Sequence, residues 1–160
     1  MSQNEDRLTV LVAIDYSATS GRAMAWAVDY AQRAPCDLHL VHVLDRTLHV
    51  GDLSPNARDM QAEIDGITVA ARKELEAMTR SDEALVALGP IKRHVSIGRP
   101  AHEIVDLAVR LHADLIVMGT HGRTGIRRAV IGSVAEHVVR HAPCTVVCVK
   151  PTVIEEPAAG

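Results

Sequence analysis

Between Leu8 and Ile14 the chain reads LTVLVAI, a β-branched apolar run without alternation, as a strand covered on both faces requires. Past Asp15 the period changes. Ala23, Trp26, Ala27, Tyr30 and Ala31 recur at spacings of three and four, which predicts an amphipathic helix with Trp26 turned inward. Ser17, Thr19 or Ser20 caps that helix and Pro35 ends it. Leu38 to Leu44 alternates apolar residues with His39 and His42 and predicts the second strand. The polar, turn-rich stretch from Asp45 to Pro55 is long for a compact domain, and so a candidate lid or partner surface.

Further on, Met60, Ile64, Ile67, Ala71, Leu75 and Met78 line one face of a helix expected from Ala57 to Thr79. Ile91 to Ile97 reads as the third strand. Gly98-Arg99-Pro100 is a turn that sets Pro at or near the first position of a helix from Ala101 to His112, with Ile104, Leu107, Ala108 and Leu111 inward. Asp114 to Met118 is the fourth strand, Ser133 to His141 the fourth helix and Thr145 to Val149 the fifth strand. Buried-type strands alternating with helices predict a parallel sheet made of right-handed crossovers, a doubly wound α/β domain. One domain is expected over residues 1–150, with Pro151 to Gly160 a disordered tail and no internal repeat.

Composition agrees with that outline and narrows the function. The 160 residues are 48% apolar and 23% charged, the balance of a soluble globular domain long enough to hold a core. A net charge of -3 gives no field that would steer the molecule to nucleic acid or anionic lipid, and one Trp and two Tyr are too few for a base-stacking surface of the nucleic-acid kind. The polar, acidic N-terminus is no signal peptide, and no apolar run approaches the roughly 18 residues that span a bilayer; a cytoplasmic protein is expected. Cys36, Cys144 and Cys148 show no CxxC spacing. If the last two share a strand they stand roughly 13 Å apart, too far for a disulfide, so buried, reduced thiols are expected.

The chemistry concentrates in one loop. Gly119-Thr120-His121-Gly122-Arg123-Thr124-Gly125 follows the fourth strand directly, and Gly132-Ser133 stands where the next helix starts. Glycines allow close backbone approach to a ligand, and a helix start offers unpaired N–H groups at a positive dipole end. From Leu115 to Ala135 there are Arg123, Arg127, Arg128 and His121, with no Asp or Glu. A glycine-rich, locally cationic loop that opens a helix suits phosphate.

Gly119-x-x-Gly122, nine residues, then Gly132-Ser133 resembles the Gly-x2-Gly-x9-Gly-Ser/Thr signature of the ATP-binding universal stress proteins, and GTHGRTGIRRAVIGSVAEHVVRHAPCTVVCV is similar to their C-terminal half. The strand ending in Asp15 and the LVHVLD segment add to the likeness, which covers Leu8 to Val149 and is least specific from Asp45 to Gly89. The resemblance implies an open five-stranded parallel sheet in the order 3-2-1-4-5 with helices on both faces, Rossmann-like and of the adenine-nucleotide α-hydrolase type. It implies ATP across the carboxyl ends of strands one and four, the switch point where strand order reverses. By the same analogy Asp15 and Val43 lie near adenine or ribose, Met118 packs beside the base, Gly119, Gly122, Gly132 and Ser133 meet the phosphates and Val134 contributes at the helix start, with Ala13 and Arg123 completing the expected binding set. Asp15 is expected to face the base or ribose or to share a metal, since a carboxylate beside a triphosphate repels it; its plainer role is a turn or cap. Each arginine is either a phosphate contact or a solvated loop charge. Mg²⁺ and Mn²⁺ are both open as the accompanying ion.

Other chemistry is weaker. His137 and His141 stand at i and i+4, a spacing that chelates metals, but no third ligand is evident. Cys148 sits inside an apolar strand, a poor setting for a nucleophile. The loop lacks the GK[ST] of a Walker sequence, and no base is evident to position water, so hydrolysis is expected to be slow. These features predict a nucleotide-responsive regulatory module acting on a protein partner. The alternatives are an interaction protein indifferent to nucleotide and a slow ATPase or nucleotide-transferring enzyme. Thr145 to Val149, apolar and free of Pro or charge until Lys150, would form an exposed sheet edge that pairs with a second copy; a homodimer through that edge is expected.

Overall fold

The structure, a computed structural model, describes residues 7–45, 57–121 and 131–151. Along the chain run β1 (Leu8–Ile14), α1 (Ala18–Ala31), β2 (Cys36–Asp45), α2 (Ala57–Ser81), the short α3 (Glu83–Ala87), β3 (Lys92–Gly98), α4 (Pro100–Leu111), β4 (Leu115–Gly119), α5 (Ser133–His141) and β5 (Thr145–Val149). The strands form one parallel sheet in the order β3-β2-β1-β4-β5. Pro100 occupies the first turn of α4, where its missing N–H costs nothing. The expected lid at Asp45 to Pro55 and the expected tail lie, but for Asp45 and Pro151, outside the described residues.

The uniform hydrophobicity of β1 has its reason in two core layers. Val10, Val12 and Ile14 point to the layer under α1 and α2, with Leu40 and Leu75. Leu11 points to the opposite layer, with Val41, Ile104, Leu107, Ile116 and Val138 under α4 and α5. Val10, Leu11 and Val12 are each 0% exposed, so the central strand has no solvent face to keep polar.

Trp26 corrects the expected helix face. It is 37% exposed and stacks on Tyr30, ring centroids 5.4 Å apart at 11°. The buried stripe of α1 runs instead through Ser20, Ala23, Met24, Ala27 and Val28, whose small members bring the helix close to the sheet and leave no room for an indole. The sequence reading also passed over α3, started by Asp82, whose carboxylate accepts from the Ala84 and Leu85 N–H groups. The three cysteines are free thiols; Cys36 is buried, while Cys144 and Cys148 are half-buried, and burial pushes all three thiols up in pKa. No helix among the described residues is long and apolar enough to cross a membrane.

The close seat of α1 explains a glycine that sequence alone assigns to a ligand. A Cβ on Gly119 would stand 2.9 Å from both Cβ and Oγ1 of Thr19 and 3.0 Å from its carbonyl carbon. The space a side chain would need is taken by the helix. Gly119→Ala is therefore expected to lower the stability of the ligand-free protein by about 1–3 kcal/mol through overpacking, seen as a lower urea midpoint with an unchanged slope.

Candidate functional site

Parallel strands leave their carboxyl ends together, and the reversal of strand order between β1 and β4 opens a crevice there. A cavity of about 670 Å³ occupies it. On the α4 and α5 side its wall is apolar, from Ala13, Val41, Val43, Ile104, Met118 and Val134. On the α2 side stand Tyr16, His42, Leu44, Ile67 and Glu74, and the rim between β4 and α5 is Gly119, Thr120, His121, Gly132 and Ser133.

Of the residues expected at the site, Ala13, Asp15, Val43, Met118, Gly119, Gly132, Ser133 and Val134 all line this one cavity. Gly122 and Arg123 lie outside the described residues, as do Arg127 and Arg128.

Gly132 caps α5 with extended backbone and no side-chain hydrogen bond. The first N–H groups of that helix are thus left without a capping side chain, at the end that carries partial positive charge. The cap is pinned in place: the Gly132 N–H donates to the Thr120 carbonyl at 2.7 Å, and the Thr120 N–H donates to the Val149 carbonyl at 2.9 Å. A Cβ on Gly132 would meet that same Thr120 oxygen at 3.0 Å, so glycine permits this closeness.

Asp15 combines the two roles weighed for it. It lines the cavity, and its Oδ1 accepts from the N–H of Ser17, at 2.9 Å, and from the Ser17 hydroxyl. Ser17 in turn caps α1 by accepting from the Ser20 N–H. Next along the helix, Thr19 donates through Oγ1 to the His121 carbonyl. The start of α1 is thereby tied to the chain leaving β4, on the opposite side of the switch point.

Sequence reasoning missed Tyr16, His42 and Glu74, and gave Thr120 and His121 only as members of the glycine-rich loop. His42 was readable, because alternation along β2 sets it on the face opposite Val41 and Val43. Glu74 reaches the site only through the docking of α2, which no local pattern encodes. The imidazole of His42 donates from Nδ1 to the Ile14 carbonyl at 2.8 Å, and its ring lies 4.8 Å from that of Tyr16, tilted by 52°. Burial, and then the negative charge of Glu74, push the Tyr16 phenol up to about 12. The carboxylates of the described lining are Asp15, Asp45 and Glu74. The uncapped helix start suits an anion, and the apolar wall suits a neutral ring.

No group of three or more His, Cys, Asp or Glu among the described residues is arranged to hold a metal ion. His137 and His141 stack with ring centroids 4.1 Å apart, and His102 joins them at 4.5 Å from His137; Nδ1 of His141 is engaged with the His137 carbonyl.

The model of the universal stress protein family matches residues 7–150. A universal stress protein of Methanocaldococcus jannaschii is 31% identical over 143 residues, covering 88% of this chain and 81% of its own. The solved universal stress protein UspA from Lactobacillus plantarum superposes with a TM-score of 0.72 at 28% identity, over 91% of this chain and 99% of its own. A universal stress protein solved in complex with cAMP superposes with a TM-score of 0.64 at 26% identity, over 90% of this chain and 97% of its own.

Proposed function

We propose a function that starts from the family: the chain belongs to the universal stress protein family, and within it we read the cavity as an ATP site that makes the protein a nucleotide-responsive regulatory module. The observation that carries the reading is an uncapped helix start and an apolar wall that line one cavity. An uncapped helix start at Gly132 and Ser133 meets phosphate. The apolar wall of Ala13, Val43 and Met118 meets the base or ribose. The volume of about 670 Å³ is in the range that encloses a small organic ligand. The cAMP-bound relative supports an adenine nucleotide.

Hydrolysis is slow on this reading. Asp15, the carboxylate at the end of β1, is held through Oδ1 by Ser17 in a turn that caps α1, and the loop has no Walker lysine to draw charge from the phosphates. A divalent ion such as Mg²⁺ or Mn²⁺ would ride on the phosphate oxygens with few protein ligands, as Mg²⁺ commonly does. Regulation then follows from occupancy, read by a protein partner. The edge position of β5 supports a homodimer through Thr145–Val149.

The decisive experiment releases small molecules from the purified protein by denaturation, identifies them by mass spectrometry, and titrates stripped protein with ATP in a calorimeter. Retained adenine nucleotide and saturable heat are expected. A protein that carries none and takes up none would sink the reading, and multiple turnover with an acceptor would move it to the enzyme class.

A further inference from the structure

The turn between β1 and α1 holds Tyr16 at φ 62, in the left-handed region that glycine enters freely and a residue with a Cβ enters at a cost. Among the described residues the other non-glycine in that region is His112, the C-cap of α4, where such a conformation is ordinary. No helix end accounts for Tyr16. Strain of this kind persists only where surrounding contacts impose it, and it gathers at ligand clamps.

The contacts that impose it here belong to the cavity. The Tyr16 ring leans on His42, which is itself fixed by its bond to the Ile14 carbonyl. Yet Tyr16 stays 38% exposed while lining the cavity, so the ring keeps uncovered surface toward the space a ligand would fill. The chain has no Phe, one Trp and two Tyr, and Trp26 and Tyr30 stack on each other on α1. Tyr16 is therefore the one phenyl or indole ring among the described lining residues. Glu74 stands on the same wall.

We propose that Tyr16 is a specificity-determining residue, the platform on which the base of a bound nucleotide stacks, with Glu74 beside it favouring a base that presents an amine. The proposal rests on the nucleotide reading above. Base stacking on an aromatic side chain tolerates any base, and its removal costs roughly 5- to 150-fold in affinity. Discrimination comes from Glu74, since adenine offers an amino donor where guanine offers a carbonyl oxygen.

The test compares wild type, Tyr16→Gly, Tyr16→Phe and Glu74→Gln in calorimetric titrations with ATP, GTP and inorganic tripolyphosphate. Glycine suits the backbone at this position, so Tyr16→Gly should melt at the same temperature as wild type or higher. It should bind ATP at least about tenfold more weakly and bind tripolyphosphate as before. Tyr16→Phe should keep the ATP affinity, and Glu74→Gln should narrow the preference for ATP over GTP. If wild type binds no ATP, the nucleotide reading itself falls and the proposal with it. If wild type binds ATP and Tyr16→Gly binds it equally well, the Tyr16 proposal alone is overturned. An equal loss of ATP and tripolyphosphate would also overturn it, because the damage would not be specific to the base.

Discussion

Gly132→Asp should abolish measurable ATP binding while leaving the fold standing. Asp is among the preferred N-cap residues, and its carboxylate accepts from the N–H groups of the second or third helical residue. Those are the groups the proposed phosphate site needs. The substitution therefore fills the anion site with an anion of the protein's own and sets a negative charge against the triphosphate. At about 4 Å and an effective dielectric near 20, each charge pair contributes roughly 4 kcal/mol of repulsion, equivalent to a hundredfold or more in affinity. Stability should change little. The cap gain of about 1 kcal/mol is set against crowding of the new Cβ on the Thr120 oxygen at 3.0 Å. Calorimetry and urea denaturation of the same preparations separate the two effects, and Gly132→Ser supplies an uncharged cap of similar reach. Undiminished ATP binding by Gly132→Asp would place the phosphates somewhere other than α5.

The second large effect is acid lability centred on the sheet, away from the cavity. His39 on β2 is 4% exposed, and its Nδ1 lies 3.0 Å from Nε2 of His94 on β3, the rings parallel within 8°. With both rings neutral, one N–H donates to the bare nitrogen of the other ring; protonating either ring sets an imidazolium in a low-dielectric layer, and protonating both sets two positive charges side by side with no acceptor between them. Burial lowers His39 from 6.5 to about 4, helped by the positive charge of Lys92 and by His94. Burial also lowers His94, with Arg110 and Lys92 contributing. Between the ordinary histidine value and the folded value the unfolded chain binds more protons than the native one, so stability rises with pH across that window. The stabilisation is complete above about pH 6.5 and is lost as pH falls toward about 4, and for His39 it amounts to roughly 3 kcal/mol. Urea midpoints measured from pH 7.5 down to 4.5 should fall accordingly. The double substitution His39→Leu with His94→Leu should flatten the profile, and an equally steep fall in that variant would assign the lability to other groups.

Much of this architecture was legible because periodicity and punctuation agreed. The run from Leu8 to Ile14, without alternation, read as a strand covered on both faces, and Pro100 after Gly98 marked the start of α4 to within one residue of the expected Ala101. The site was legible where it depends on short-range geometry: Gly119, Gly132 and Ser133 belong to one strand-loop-helix passage, and Asp15 ends the strand beside it. Spacing alone did not reveal why each glycine is there. Gly119 makes room for Thr19, a residue 100 positions earlier, and only docking of α1 on β4 exposes that reason. Trp26 misled because its spacing fits a stripe as well as that of Ala23 does. The depth of the stripe is set by the sheet beneath the helix and not by the helix itself. Tyr16 was invisible for another reason, since nothing in the residue type announces a positive φ; Tyr is an unfavourable choice there, and the conformation shows only in the fold.

The placement of Trp26 also governs how this protein can be watched. Its single indole sits on the outer face of α1, stacked on Tyr30, and there is no Phe anywhere in the chain. Emission from native protein should already resemble that of indole in water, so loss of the aliphatic core should shift the fluorescence maximum little. The unfolding experiments above are better followed by circular dichroism of the backbone. Trp26 and Tyr30 are also absent from the cavity lining while Tyr16 is part of it, so indole emission should respond weakly to a ligand and calorimetry remains the direct measure of binding.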